Sequence, residues 1–153
     1  MTRGFTLVEM LLVVIVGMIL AGVMVPNTPS LDDQVIVADA NILAADLEFA
    51  QARAIATGQS HRVIFDVRKN TYSVESPPGN VLDQPLSRKP WVRDLTAGRG
   101  TGIVAVSFAG KSAVIFDQAG TPDDGGTVDL AAGAFQAEIE VVAVTGDVLL
   151  TLP

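Results

Sequence analysis

The chain has no cysteine, and its 153 residues include one histidine, one tryptophan and one tyrosine. Without cysteine no disulfide can close a loop, so the fold is held by packing alone. With a single histidine, His61, no His- or Cys-based transition-metal cage can be built. Basic residues are also scarce: 10 Lys and Arg stand against 17 Asp and Glu, for a net charge of −7. That balance argues against a protein whose main task is to grip nucleic acid, because phosphate contacts need Lys and Arg.

Catalytic signatures are missing as well. Gly110-Lys111-Ser112 has Ala105 where a phosphate loop needs its first glycine, and its flanks read strand, turn, strand. Gly98-Arg99-Gly100-Thr101-Gly102 is glycine-rich but opens no helix, which removes the dipole a nucleotide site would use. Ser60, His61 and Asp66 lie close in sequence, yet strand alternation sends neighbours to opposite faces, so they do not read as a relay and His61 is expected at a surface or edge. No catalytic residue and no cofactor are expected. Asp123-Asp124-Gly125-Gly126 with Asp129 is a weak calcium candidate through oxygen ligands. Its spacing matches no EF-hand loop, and tight turns demand the same Asp and Gly.

What the chain does have is one long apolar run. Residues 5–25 form a segment of about 21 residues, enough as a helix to cross a hydrocarbon core of ~30 Å. Its only charged side chain is Glu9, which costs roughly 2.5–3.5 kcal/mol at membrane depth on insertion scales and so needs a purpose. Arg3 ahead of the run favours a cytoplasmic N-terminus. A secretory signal peptide shares the basic start, but its apolar region spans ~7–15 residues before a small-residue site, and no such site follows here.

Gly4-Phe5-Thr6-Leu7-Val8-Glu9 followed by the unbroken apolar run resembles the N-terminus of type IV pilins and type II secretion pseudopilins. The resemblance implies a leader, residues 1–4, cut after Gly4 by a prepilin peptidase. It further implies N-methylation of Phe5, and use of Glu9 in filament assembly. Pro26 falls where these proteins often bend their helix. A freed amine on Phe5 would be a cation, and pairing it with Glu9 of a neighbouring subunit would offset part of the burial cost of each and set their register. Some related major pseudopilins use calcium, which bears on Asp123, Asp124 and Asp129. The absent cysteines tilt the reading towards a pseudopilin or minor pilin.

Beyond the run, residues 26–30 hold two prolines and read as a kink or linker, with Ser30 placed to cap a new helix and Asp32 and Asp33 in its first turn. From Leu31 to about Gly58 the spacing predicts a helix, with Ile36, Ala40, Leu43, Leu47, Ala50 and Ala54 on one stripe and Val35, Ile42, Phe49 and Ala56 beside it. One edge would pack on its own sheet and the other on neighbouring helices of a filament. The end of this helix, with Ala52-Arg53-Ala54-Ile55-Ala56 and then Gly58, resembles H-type minor pseudopilins (the GspH/FimT family); Arg53 reads equally as a solvated or snorkelling side chain.

Strands are expected at 61–67 and 71–75, joined by a turn at 68–70, and at 103–108 and 113–116 as a second hairpin across Ala109-Gly110-Lys111. A short strand near 127–130 and a pair at 137–144 and 148–152 complete the pattern. Residues 76–100, rich in proline and glycine, read as a long surface excursion. The fold class is therefore α+β: a long N-terminal helix, transmembrane in its first half and amphipathic in its second, packed on an antiparallel β-sheet, with residues 31–153 as a periplasmic domain.

Taken together, the expected function is that of a minor pseudopilin of a type II secretion system. It would be a structural subunit and not an enzyme, single-pass in the bacterial inner membrane. Its expected partners are other pilin-like subunits, an inner-membrane assembly platform and, for processing, the prepilin peptidase. A FimT-like minor pilin of a type IV pilus, acting in assembly or DNA uptake, is the alternative, although the C-terminal segment has no arginine. A membrane-anchored periplasmic enzyme is the remote third.

Overall fold

A computed structural model describes residues 6–23, 31–85, 87–97 and 100–152. The expected leader, the Gly4–Phe5 cut site and the 26–30 linker with Pro26 and Ser30 lie outside the described residues. Helix α1 is Leu7–Val23. The amide of Glu9 donates to Thr6 Oγ1 at 3.3 Å, so Thr6 satisfies one of the donors that a helix start leaves open. Among the described residues no helix is long and apolar enough to cross a membrane: α1 is apolar, but it is described over 17 residues. The expected span of 5–25 runs past both of its ends.

Helix α2 is Leu31–Thr57, with Asp32 and Asp33 in its first turn. It stops at Gly58, whose backbone turns left-handed (φ +63°) while its amide still reaches the Ala54 carbonyl at 2.9 Å. All six residues of the predicted stripe, Ile36, Ala40, Leu43, Leu47, Ala50 and Ala54, are completely buried. They face two four-stranded antiparallel sheets. One has the order β3-β2-β1-β5, built from β1 (His61–Asp66), β2 (Thr71–Glu75), β3 (Val92–Asp94) and β5 (Ala113–Phe116). The other has the order β4-β6-β7-β8, built from β4 (Gly102–Phe108), β6 (Gly126–Ala132), β7 (Phe135–Val141) and β8 (Val148–Thr151). The helix packs on strands of both, and a single core joins them, with the Phe65 and Phe108 rings stacked 6.0 Å apart across the junction. Burying each of the larger side chains contributes about 1.5–3 kcal/mol, so the helix is secured mainly by its stripe.

Two expectations are corrected here. The 109–111 turn exists, with Phe108 and Lys111 exchanging both backbone bonds at 3.1 and 2.9 Å, but its strands do not pair beyond it. β4 joins β6 and β5 joins β1, so the turn carries the chain from one sheet to the other. Each strand meets apolar side chains across the strand it joins instead: Val114 lies opposite Val63, and Val106 opposite Val128. Residues 76–100 are also more than a surface excursion. Within them β3 pairs with β2, and Trp91 and Leu95 are buried at 5% and 4% exposure.

Candidate functional site

Two regions carry the chemistry expected from the sequence or revealed by the fold. The first is α1. Among the described residues its apolar side chains lie exposed: Leu7 is 83% exposed, Met18 72% and Ile19 61%. Glu9 sits in the first turn, exposed, where the helix dipole favours a carboxylate. Gly4, Phe5 and Pro26 lie outside the described residues.

The second region lies along one edge of the buried stripe of α2. Asp39 and Asp46, seven residues apart and so on the same face, are buried at 4% and 6% exposure. Asp46 Oδ2 accepts hydrogen bonds from Tyr72 Oη at 2.7 Å, Trp91 Nε1 at 3.1 Å and Arg93 Nε at 3.1 Å. Asp39 accepts one from the buried Thr101 hydroxyl. Burial, followed by the Asp46 charge, pushes the Tyr72 phenol well above its ordinary value of 10.0. The two carboxylates thus clip both ends of the 91–101 segment to α2. Sequence reasoning missed both; the available signal was that they follow Ile36 and Leu43 by three residues, at the border of the apolar stripe. Beside them Trp91 packs on Phe49, ring centroids 4.7 Å apart, and the Arg53 guanidinium lies over the Phe49 ring, 5.9 Å from its centroid. Arg53 therefore stays exposed with its head over an aromatic face.

The remaining candidates are dispersed. His61 is only 1% exposed, which corrects the expected surface position: β1 alternates so that His61, Val63 and Phe65 all point inward. Its Nδ1 lies 2.9 Å from the Gln59 carbonyl and 3.4 Å from Ser76 Oγ. Asp66, at the far end of the strand, pairs with Lys69 at 3.1 Å, which holds its carboxyl below the usual range. Ser60, His61 and Asp66 are thus not assembled. Asp123 and Asp124 both take Lys111 Nζ, at 3.1 and 2.7 Å, and these carboxylates, Asp124 first, raise the lysine pKa. Asp129 stands mid-β6 opposite Ala105 and Glu138. No group of three or more metal-ligating side chains occurs among the described residues.

A long helix laid across antiparallel sheets is the pilin-like architecture, and solved structures share it. The minor pseudopilin EpsH from the type II secretion system of Vibrio cholerae superposes with a TM-score of 0.60 at 14% identity, covering 77% of this chain and 97% of that one. The type IV minor pilin FimU of Pseudomonas aeruginosa superposes with a TM-score of 0.55 at 14% identity, over 74% of this chain and 90% of that one. A comparison with curated proteins finds no match. The sequence profile of the family described as type II transport protein GspH matches residues 39–146, and the chain belongs to that family.

Proposed function

We propose that the chain is a minor pseudopilin: a structural subunit of the periplasmic pseudopilus of a type II secretion system, anchored in the inner membrane through residues 5–25. The observation that carries the reading is α1, an apolar helix exposed on its own fold from Leu7 to Ile19 and bearing one acid, Glu9. Such a surface is stable only when lipid or other apolar helices cover it. Insertion in the membrane supplies the first cover and packing against neighbouring subunits the second. After cleavage behind Gly4, the methylated amine of Phe5 pairs as a cation with Glu9 of the adjoining subunit. The assembly platform and the prepilin peptidase are the remaining partners in this scheme, and no substrate is turned over.

Mass spectrometry of the protein purified from membranes tests this directly. The expected mass lacks Met1 to Gly4 and carries one added methyl on Phe5; a chain retaining its first four residues would overturn the reading. The pilus alternative is favoured by the FimU likeness, and co-purification with secretion-system rather than pilus subunits separates the two.

A further inference from the structure

Charge is divided unevenly along the folded domain. Residues 53–111 hold nine Lys and Arg against four Asp and Glu, whereas residues 112–153 hold seven Asp and Glu and no Lys or Arg. The second group builds β6, β7 and β8, whose outward positions alternate with the buried ones. Asp129, Glu138 and Glu140 all stand on that outer face, and no ion pair or hydrogen bond reaches their carboxylates among the described residues. Asp129 and Glu138 are direct cross-strand partners, an arrangement of like charges that destabilises an isolated sheet. They line a shallow groove of about 310 Å³ with Val104 and Thr151.

The same chain carries a matching cation pair. Residues 84 and 87–89 are drawn into a tight tip by Gln84 N to the Lys89 carbonyl at 2.9 Å, Arg88 N to the Gln84 carbonyl at 3.0 Å and Ser87 Oγ to Gln84 Oε1 at 2.8 Å. The tip holds Arg88 in a left-handed backbone (φ 51°), and both Arg88 and Lys89 are exposed and engage no carboxylate among the described residues. It is ordered by its own bonds and presents two adjacent cations, so little freedom is lost when it docks.

We infer that the acidic outer face of the β4-β6-β7-β8 sheet receives the Arg88–Lys89 tip of a second copy of this chain. The contact joins two different surfaces, so it is heterologous and leaves a free tip and a free face at the two ends of any pair. It deepens the subunit reading by naming a lateral contact between globular domains that is separate from α1. Losing it would leave processing and membrane insertion intact, so the two readings fail independently.

The test uses the full-length chain in detergent micelles, with isotopically labelled and unlabelled copies mixed and treated with a carbodiimide. The expected product is a mixed-isotope crosslink joining Lys89 to Asp129, Glu138 or Glu140. Sedimentation velocity should show association at low salt that is lost near 1 M salt, where the screening length falls to ~3 Å. Reversing the face (Glu138→Lys with Glu140→Lys) or the tip (Arg88→Glu with Lys89→Glu) should each weaken association about tenfold, and mixing the two variants should restore a pair. Monomers at every salt concentration would overturn the inference. So would association that persists through both reversals, or crosslinks confined to α1, or association only with a different pilin-like subunit.

Discussion

Without its carboxylate, Asp46 would leave the Tyr72 hydroxyl, the Trp91 indole N–H and the Arg93 guanidinium facing a buried edge of α2. Stranding three donors, one of them charged, is expected to cost Asp46→Ala about 3 kcal/mol, and Asp46→Asn, which keeps one acceptor, about half of that. Urea unfolding followed by the fluorescence of Trp91, the only tryptophan, measures both; a loss below about 0.5 kcal/mol in Asp46→Ala would show that the clip does not hold the fold. Tyr72 makes a pH prediction of definite sign. Its folded-state pKa is raised above the ordinary phenol value of 10.0, so above that pH the unfolded chain gives up a proton that the folded chain keeps. Stability should therefore be intact below pH 10 and fall above it, by up to about 1.4 kcal/mol per pH unit for one proton. Tyr72→Phe should remove that part of the alkaline loss, and unfolding midpoints of both proteins between neutral pH and pH 11 would show it. None of this was legible in the sequence, because a helical Asp reads as solvent-facing until its donors arrive from positions 45 and 47 residues away.

At the scale of elements, the helix was legible almost to the residue, since a six-position stripe at 3.6-residue spacing has no strand counterpart. The β1–β2 hairpin was legible too, in a four-residue turn where Asn70 takes positive φ. Partner choice was not. Local turn chemistry at Ala109-Gly110 argues for a β4–β5 hairpin, and the turn does form; which sheet each strand then joins depends on cross-strand contacts such as Val114 with Val63 and Val106 with Val128, which no local signal encodes. Gly126, which starts β6, shows how close that pairing is. A Cβ there would lie 2.0 Å from the Ser107 carbonyl oxygen, a backbone atom that can move only if β4 moves. Gly126→Ala should cost about 3 kcal/mol, seen as a lower thermal midpoint with the helical circular-dichroism signal of the folded state retained. An unchanged midpoint would mean that β4 and β6 yield more easily than their spacing implies.

Over the whole molecule, the family was more legible than topology, because the resemblance and the proposed role both rest on the first turn of α1 and the apolar run behind it. The sequence there states its requirement in one dimension: an apolar length, one acid and an expected cut site. Glu9→Ala should still insert in the membrane and still lose its leader, yet enter filaments at least about tenfold less than the unaltered chain, since its partner cation would be left unpaired. Immunodetection of the subunit in sheared or purified filaments, against its level in membranes, gives the ratio; equal incorporation would remove Glu9 from the assembly scheme. The acids of β6 and β7 were present in the sequence as well, but only the fold gathers them on one face.

Asp39 and Asp46 have a mechanical consequence. Because they fasten the same side of α2 to the two ends of one segment, rotation of the helix about its long axis is opposed: a quarter-turn would drag both anions across the packed interior. Torque delivered to the near end of this rod must therefore swing the whole head, which behaves as a key cut in one piece with its shaft.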